Sequence, residues 1–429
     1  MKSPSQITVF EAETKAARDT IQRKRAGRDT VSILLDELRK AKPTVDSFSS
    51  VDRTLPPPPS PAAIVQVIAA SQSLFGQLHD SEEVASARRQ FLESLCRYTN
   101  DEQRESYAEL MLEFEKRVFM SNNSQAEPEI YDSYKQLTTL LQGAPTERSL
   151  PWQSRILAVS HFLIHAARPD TVCLGSKIGS QVLCLVQKLI SSRPSRLAEI
   201  LCSLGLDGEW RAFDGKILKI DEHSMKPGPE ELGYKAGDHK RSYAAKIWQT
   251  ILLNNCLIRR TVPMIYSETP GRPGRDYGGQ ILRTHEGKIV NPKLGANITF
   301  FELALLARFE FGETACVLVN DLSFGTQSAE LLDLSSQKML LHFRTVSELG
   351  ELLSACRDEG RLPVTVAVDE RRLLAESYQD GINHAINVLD FNEYGNLRIY
   401  NPLLLPGMQR TARVSLQRLY NASLSNFKA

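Results

Sequence analysis

The spacing of apolar residues predicts a helical first half and a second half in which helices give way to strands. Apolar residues recur every three or four positions in a series of predicted helices before residue 260. These helices cover residues 62–77, 81–98, 101–119, 130–141, 152–167, 172–191, 194–204 and 239–257. Short runs of strand-forming residues then predict strands at 316–319, 339–343, 363–368 and 412–415, with a helix at 345–359. Helices followed by an antiparallel sheet are typical of the α+β class.

The clearest local pattern is a β-hairpin near the end of the chain. An apolar, β-branched run over residues 383–391 meets a turn that contains Gly395, and a second run of strand formers follows it. His384 opens the first predicted strand and Asn401 closes the second. Antiparallel pairing about a turn near Glu393 would bring His384 almost opposite Asn401. An asparagine in that place can orient an imidazole for proton transfer.

Consecutive prolines mark the main predicted domain boundary. The segment 55–62 cannot continue a helix and favours an extended polyproline conformation. It separates a charged arm over residues 1–54, which is helical or partly disordered, from a helical accessory domain over residues 63–147. Residues 148–429 are predicted to form the second domain, which carries the site.

Composition describes an ordinary globular protein and narrows its function classes. The chain has 429 residues, of which 42% are hydrophobic and 24% charged, and its net charge is +1. This balance gives no reason to expect nucleic acid or an anionic membrane as the main partner. No apolar run is long enough for a membrane-spanning helix, so no integral membrane segment is expected, and the N-terminus lacks the apolar core of a secretory signal.

The seven cysteines point to a reducing compartment. They are odd in number and include no CxxC pair, which argues against a disulfide framework or a zinc site. We therefore expect a cytoplasmic protein, or one translocated without a cleaved signal peptide as injected bacterial effectors are. We expect no cofactor and no metal.

Cys173 differs from the other cysteines in its sequence setting. Pro169 ends the preceding predicted helix and Asp170 or Thr171 is a good N-cap for the next, so Cys173 is predicted to lie in a first helical turn. Unpaired backbone N–H groups and the helix dipole favour a thiolate there, and the same N–H groups can receive an oxyanion. The remaining cysteines lie within apolar patterns and are interpreted as buried small hydrophobes.

The order of a helix-starting cysteine, a strand-starting histidine and a strand-ending asparagine resembles the papain-like cysteine peptidase superfamily. The segment 384–388, His-Ala-Ile-Asn-Val, is similar to the strand that carries the superfamily's histidine. The segment 400–402, Tyr-Asn-Pro, is similar to the one that carries its orienting amide. Residues 241–254 and 362–366 are similar to segments of uncharacterised bacterial proteins with the same order of cysteine and histidine. The resemblance spans roughly residues 165 to 425, as pattern rather than close identity, and implies a papain-like domain.

The resemblance implies a catalytic triad with a role for each member. Cys173 would be the nucleophile, His384 would deprotonate it and later protonate the leaving group, and Asn401 would fix the imidazole tautomer. The reaction would be acyl transfer from a peptide or isopeptide carbonyl to Cys173 and then to water, with a protein or peptide as substrate. Transglutaminase or deamidase chemistry uses the same triad and stays open. An exposed thiol is expected, so that Cys173→Ala would leave folding intact.

Two departures from the superfamily pattern support a second hypothesis. Residues 166–172 contain no glutamine, the residue that the superfamily uses as a second oxyanion donor, and Leu174 stands where an aromatic residue usually follows the cysteine. In this hypothesis the papain-like domain is a degenerate scaffold. The protein would then be an adaptor whose helical N-terminal domain binds a protein partner.

Two other groups of residues suggest chemistry less strongly. His161 and His165 stand one helical turn apart and could share a metal, but the apolar residues between them favour a structural role. Arg272, Arg275 and Asp276 lie in a Gly/Pro-rich loop over residues 269–279. They could contact substrate, although surface charges are the simpler interpretation.

Overall fold

The computed structural model describes most of the chain between residues 81 and 423. The described residues are 60, 62, 65, 81–99, 101–121, 125–144, 146–173, 180–211, 217–219, 225–234, 241–258, 282–283, 289–290, 317–319, 340–374, 383–392, 394–402 and 411–423. The predicted arm over 1–54 and the loop over 269–279 lie outside the described residues. So do nearly all residues of the predicted linker over 55–62 and of the helix over 62–77.

The described helices agree closely with the periodicity of the sequence. They are α1 Glu82–Leu95, α2 Asp101–Ser121, α3 Ala126–Gln142, α4 Trp152–Ala167, α5 Ser180–Ser192, α6 Pro194–Asp207, α7 Pro229–Leu232, α8 Tyr243–Ile258, α9 Val346–Asp358, α10 Glu370–Leu374 and α11 Leu416–Ala422. Their starts follow local chemistry: the Ser81 side chain accepts a hydrogen bond from the Val84 N–H, and Thr345 and Glu348 form a capping box at α9. None of the described helices is long and apolar enough to cross a membrane.

Helices α1 to α6 and α8 share one hydrophobic core, which we call the helical layer. The core contains described residues between Val84 and Leu252. Helices α3 and α6 pack side by side, and the Glu129 carboxylate of α3 accepts hydrogen bonds from the N–H (3.1 Å) and the hydroxyl (2.5 Å) of Ser195 at the start of α6. The boundary predicted at residue 147 falls inside this core. The described helices on both sides of that residue therefore pack as one unit.

A six-stranded sheet forms the second part of the fold. The described strands are β1 Glu209–Arg211, β2 Ile217–Lys219, β3 Leu282–Arg283, β4 Ile289–Val290, β5 Val317–Val319, β6 Leu340–His342, β7 Val364–Asp369, β8 Asn383–Phe391, β9 Asn396–Tyr400 and β10 Thr411–Ser415. The six-stranded sheet has the order β10-β9-β8-β7-β5-β6, while β1 pairs with β2 and β3 with β4. Mixed helix and sheet place the protein in the α+β class, as predicted.

The predicted antiparallel sheet is confirmed for four strands and wrong at one edge. Strands β7, β8, β9 and β10 are antiparallel, whereas β5 runs parallel to both β6 and β7. Helix α9 lies between β6 and β7 in the chain and makes the crossover that returns β7 in the same direction as β6.

Helices cover the sheet on two faces. The alternate residues Ile386 and Val388 of β8 belong to a second hydrophobic core, to which α9 and α11 contribute. The intervening residues Ala385 and Asn387 lie toward α5 of the helical layer, where the Asn387 amide donates to the Cys184 carbonyl at 2.8 Å. Strand β8 is thus held between the two cores.

Candidate functional site

The start of α5, the start of β8 and the end of β7 meet at one end of the sheet, which we call the site end. The Ala385 N–H of β8 donates a hydrogen bond to the Ser180 hydroxyl, the first described residue of α5, at 3.1 Å. Ala385 is fully buried, and its methyl side chain lets the helix approach the strand closely. His384 directly precedes this contact and pairs with Val368 of β7 through the backbone. The strand predicted to carry the histidine is therefore confirmed, with its first residues at the helix.

The hairpin that follows is also confirmed, but its register differs from the prediction. The turn centres on Tyr394 rather than Glu393, with Gly395 at a positive φ of 73°. Asn387 pairs with Tyr400, so continuing this register brings Asn401 opposite Ile386. Asn401 therefore stands diagonally to position 384 instead of opposite it. Diagonal neighbours in a sheet remain within reach of long side chains.

Asn401 is held at the site end by a carboxylate that sequence reasoning missed. Asn401 is 5% exposed, and its amide nitrogen donates to Glu370 Oε1 at 2.8 Å. Glu370 is itself only 4% exposed. It directly follows β7, a strand whose six residues are all buried. An acidic residue at the end of a wholly buried strand is the signal that could have identified it, because glutamate is rarely buried without a partner.

Cys173 reaches the same end of the sheet from the helical layer. The hydroxyl of Tyr400 on β9 donates to the Val172 carbonyl at 2.6 Å, which fixes the backbone beside Cys173. Tyr400 pairs with Asn387, so it lies on the face of the sheet that α5 covers. Asn401, one residue on, belongs to the opposite face by strand alternation. The structure thus brings the backbone segments of the three predicted residues to one end of the sheet. Cys173 reaches it on the face that α5 covers, whereas strand alternation assigns positions 384 and 401 to the opposite face.

Two expectations about Cys173 are wrong. Residues Pro169–Thr171 form a short 3-10 helix instead of capping a new helix, and Cys173 lies in irregular backbone after it. Proline at 169 and the hydroxyl of Thr171, which bonds back to the Arg168 carbonyl at 2.6 Å, favour this tight turn. Cys173 is also 1% exposed rather than exposed, so Cys173→Ala would leave a void. Residues 174–179, which would supply the oxyanion N–H groups, lie outside the described residues.

The other described cysteines are buried, as predicted. They are Cys96, Cys184, Cys202 and Cys356. Burial raises the pKa of the Cys184 thiol well above its ordinary value. Burial, assisted by Asp207, raises the pKa of Cys202 to about 12. These two thiols stay protonated near neutral pH and are poor nucleophiles there.

His161 and His165 lie in the middle of the helical layer, and each ring is held by neighbours there. The Tyr243 N–H donates to His161 Nδ1 at 2.9 Å, so the neutral ring carries its proton on Nε2. His165 exchanges hydrogen bonds with the hydroxyls of Thr171 (2.8 Å) and Ser242 (2.6 Å). No group of metal-ligating side chains occurs in the described part of the chain. These contacts give the histidine pair a structural role.

His161 should make the protein less stable as the pH falls. Burial lowers its pKa to about 3, whereas the unfolded chain binds a proton near its ordinary value of about 6.5. Between these values the unfolded state carries the extra proton, so the free energy of unfolding should drop by about 1.4 kcal/mol per pH unit from this residue. Denaturant unfolding of the wild type and His161→Gln, at pH 6 to 4.5, measures it. Glutamine can still accept from Tyr243, and equal slopes in the two proteins would contradict the assignment.

Comparisons with family models, curated proteins and solved structures give no match to this chain. Its function is therefore inferred from the residues and contacts described above.

Proposed function

We propose that the protein is a thiol hydrolase with a papain-like domain, in which Cys173, His384 and Asn401 form the catalytic triad. One observation carries the proposal: the Tyr400 hydroxyl binds the Val172 carbonyl at 2.6 Å, with Asn401 following Tyr400 and Cys173 following Val172. A single contact thus joins the segments of two triad members. The strand of the third begins beside the same helix, at the Ala385–Ser180 hydrogen bond.

In the proposed reaction the His384 imidazole reaches Cys173 around the end of the sheet and takes its proton. The thiolate then attacks the carbonyl carbon of a peptide or isopeptide bond. The imidazolium then protonates the leaving amine as the C–N bond breaks, which leaves a thioester on Cys173. Water attacks the thioester with His384 as base, and the acid product leaves with the thiol restored. Asn401 keeps the imidazole in the tautomer that both steps require.

A second candidate is a non-catalytic adaptor built on the same scaffold. The burial of Cys173 favours it, since acyl transfer requires the sulfur to meet a substrate carbonyl and the thiol is only 1% exposed. In that case the helical layer would bind a protein partner. The site end of the sheet would then have a structural role and no catalytic one.

Labelling of Cys173 with iodoacetamide, read by peptide mass spectrometry at this residue, separates the two candidates. A catalytic Cys173 should react faster than an unactivated thiol at pH 6–7, because the His384 imidazole would take the thiol proton and generate the nucleophilic thiolate. His384→Ala should slow labelling at pH 7 by at least about tenfold, since an activated thiol loses its base. The loss should shrink at pH 9.5, where any accessible thiol ionises. Cys173→Ser is the control for the identity of the labelled peptide.

Two results would support the adaptor instead. One is labelling of Cys173 that rises only with alkaline pH, at equal rates in wild type and His384→Ala. The other is a Cys173 that stays unlabelled in the folded protein and becomes reactive only in denaturant. Cys184 supplies an internal reference, because its buried thiol should remain unlabelled at pH 7 in every variant.

A further inference from the structure

Glu370 is the buried carboxylate at the site end. It is the first residue of α10, directly after the last residue of β7, and its Oε1 accepts the Asn401 amide hydrogen bond at 2.8 Å. A buried glutamate is costly unless nearby groups favour its charge. Its position at the junction of β7 and α10 places its carboxylate within reach of the end of β9.

The hydrogen bond between Glu370 and Asn401 crosses β8. Strand β8 lies between β7 and β9, so a contact between residues at the ends of those two strands must pass over its first residues. Leu397 and Ile399 of β9 belong to the second core, and Asn401 continues their alternation. Val366 and Val368 of β7 also belong to the second core, and Glu370 continues their alternation.

Position 384 belongs to the face that this bond crosses. Ile386 and Val388 lie in the second core, and the two-residue alternation of β8 assigns residue 384 to their face. The backbone pairing of His384 with Val368 places it beside the end of β7, from which Glu370 extends. Residues 370, 384 and 401 therefore share one face of three adjacent strands.

Asp369, the other acidic residue at the end of β7, lies on the opposite face of the sheet. Asp369 pairs through the backbone with Asn383, so by alternation it lies on the face toward the helical layer. Its carboxylate accepts from the Arg371 N–H at 3.0 Å and lies 3.6 Å from the guanidinium groups of Arg371 and Arg372. Of the two acidic residues at the end of β7, Glu370 is thus the one on the face of position 384.

We propose that Glu370 is a positioning residue that supplies the negative charge opposite the His384 imidazolium, with Asn401 holding the carboxylate in place. The role of His384 rests on the proposed function. The triad would then extend to a His–Asn–Glu arrangement, in which the amide fixes geometry and the carboxylate stabilises the protonated ring. A carboxylate close to a histidine raises the pKa of the ring.

The pKa of the His384 imidazole, measured by NMR in a Cys173→Ser background, tests this inference. That background removes any contribution from a thiolate. Glu370→Gln keeps an oxygen that can accept from Asn401 but removes the charge, so the His384 pKa should fall by about 1 unit or more, a tenfold change in the proton dissociation constant. The matched control is Glu351→Gln, an exposed glutamate on α9, which should leave the His384 pKa unchanged.

The outcomes separate this inference from the proposed function. A His384 pKa that is the same in wild type and Glu370→Gln overturns the role of Glu370, even if Cys173 labels rapidly. A His384 pKa that depends on Glu370 supports it, even if Cys173 proves unreactive and the hydrolase proposal fails. If Glu370→Gln does not fold, the His384 pKa is measured in the protein with Glu370 and in Glu370→Asp. A pKa above about 6.5 in both proteins supports the inference. A pKa at or below about 6.5 overturns the inference.

Discussion

Replacing Glu115 by glutamine should lower the free energy of unfolding by about 3–5 kcal/mol, because it removes the carboxylate charge that the buried Arg88 guanidinium binds. Glu115 of α2 is fully buried, and Arg88 of α1 is only 2% exposed. The Arg88 guanidinium makes two hydrogen bonds to the carboxylate, at 2.8 and 2.7 Å, and the Tyr134 hydroxyl of α3 donates a third at 2.6 Å. The Glu115 carboxylate of α2 therefore joins side chains of α1 and α3. Chemical denaturation followed by circular dichroism measures the loss.

Two controls separate the ion pair from packing. Tyr134→Phe removes one hydrogen bond donor while the charges stay paired, so it should cost only about 1 kcal/mol. The double variant Arg88→Met with Glu115→Leu removes both charges and should be clearly more stable than Glu115→Gln, since hydrophobic pairs can replace buried ion pairs. A loss below about 1 kcal/mol in Glu115→Gln would show that water reaches the site and screens Arg88.

Local patterns in the sequence predicted the parts of the fold whose shape local chemistry determines. Helix α4 spans Trp152–Ala167, the range that its apolar spacing indicates, and α9 begins at the capping residue Thr345. The hairpin of β8 and β9 follows from two strand-forming runs around Gly395. In each case residues close in sequence determine the element, so a local pattern is sufficient.

Features that depend on residues far apart in sequence could not be predicted from local patterns. The parallel placement of β5 beside β7 depends on how the chain crosses the sheet, and three-residue runs such as Val317–Val319 carry no information about direction. The helical layer is continuous across residue 147 because α3 packs on α6, a contact between residues far apart in sequence.

The sequence indicated where His384 and Asn401 lie in the sheet better than it indicated their surroundings. Each stands at the end of a recognisable strand, and the structure confirms those two strands. Glu370 was missed because its significance comes from Asn401, which reaches it across β8. The burial of Cys173 was missed for a similar reason: the backbone beside it is bound by the hydroxyl of Tyr400, which lies 228 residues after Val172 in the sequence.

Replacing Asn387 by aspartate should separate the sheet from the helical layer and cost about 3–5 kcal/mol of unfolding free energy, the range for an uncompensated buried charge. Asn387 is buried, and its amide nitrogen donates to the Cys184 carbonyl at 2.8 Å and to Gln187 Oε1 at 2.7 Å, both on α5. Its own oxygen accepts from the Thr365 hydroxyl at 2.8 Å. Aspartate would set a carboxylate oxygen against two acceptors.

The pH dependence identifies the cause. Burial should raise the pKa of the new carboxyl in the folded state above its unfolded value of about 3.9. The protonated form is therefore favoured by folding, so the variant should approach wild-type stability below about pH 4 and lose it as the pH rises through the folded-state pKa. Asn392→Asp is the matched control: the exposed Asn392 oxygen only accepts, from the N–H groups of Tyr394 and Asn396, so its stability should change by less than about 0.5 kcal/mol.

The Asn387 variant also bears on the site, because β8 carries His384 and α5 leads from the Cys173 segment. If the two layers must be held in register for Cys173 to be activated, Asn387→Asp should slow Cys173 labelling at pH 7 under conditions where the protein is still folded. Glu115→Gln disturbs contacts with Arg88 of α1 and Tyr134 of α3, so it should leave that rate unchanged in the folded fraction. Equal labelling rates in wild type and folded Asn387→Asp would mean that the contact between α5 and β8 stabilises the fold without positioning the site.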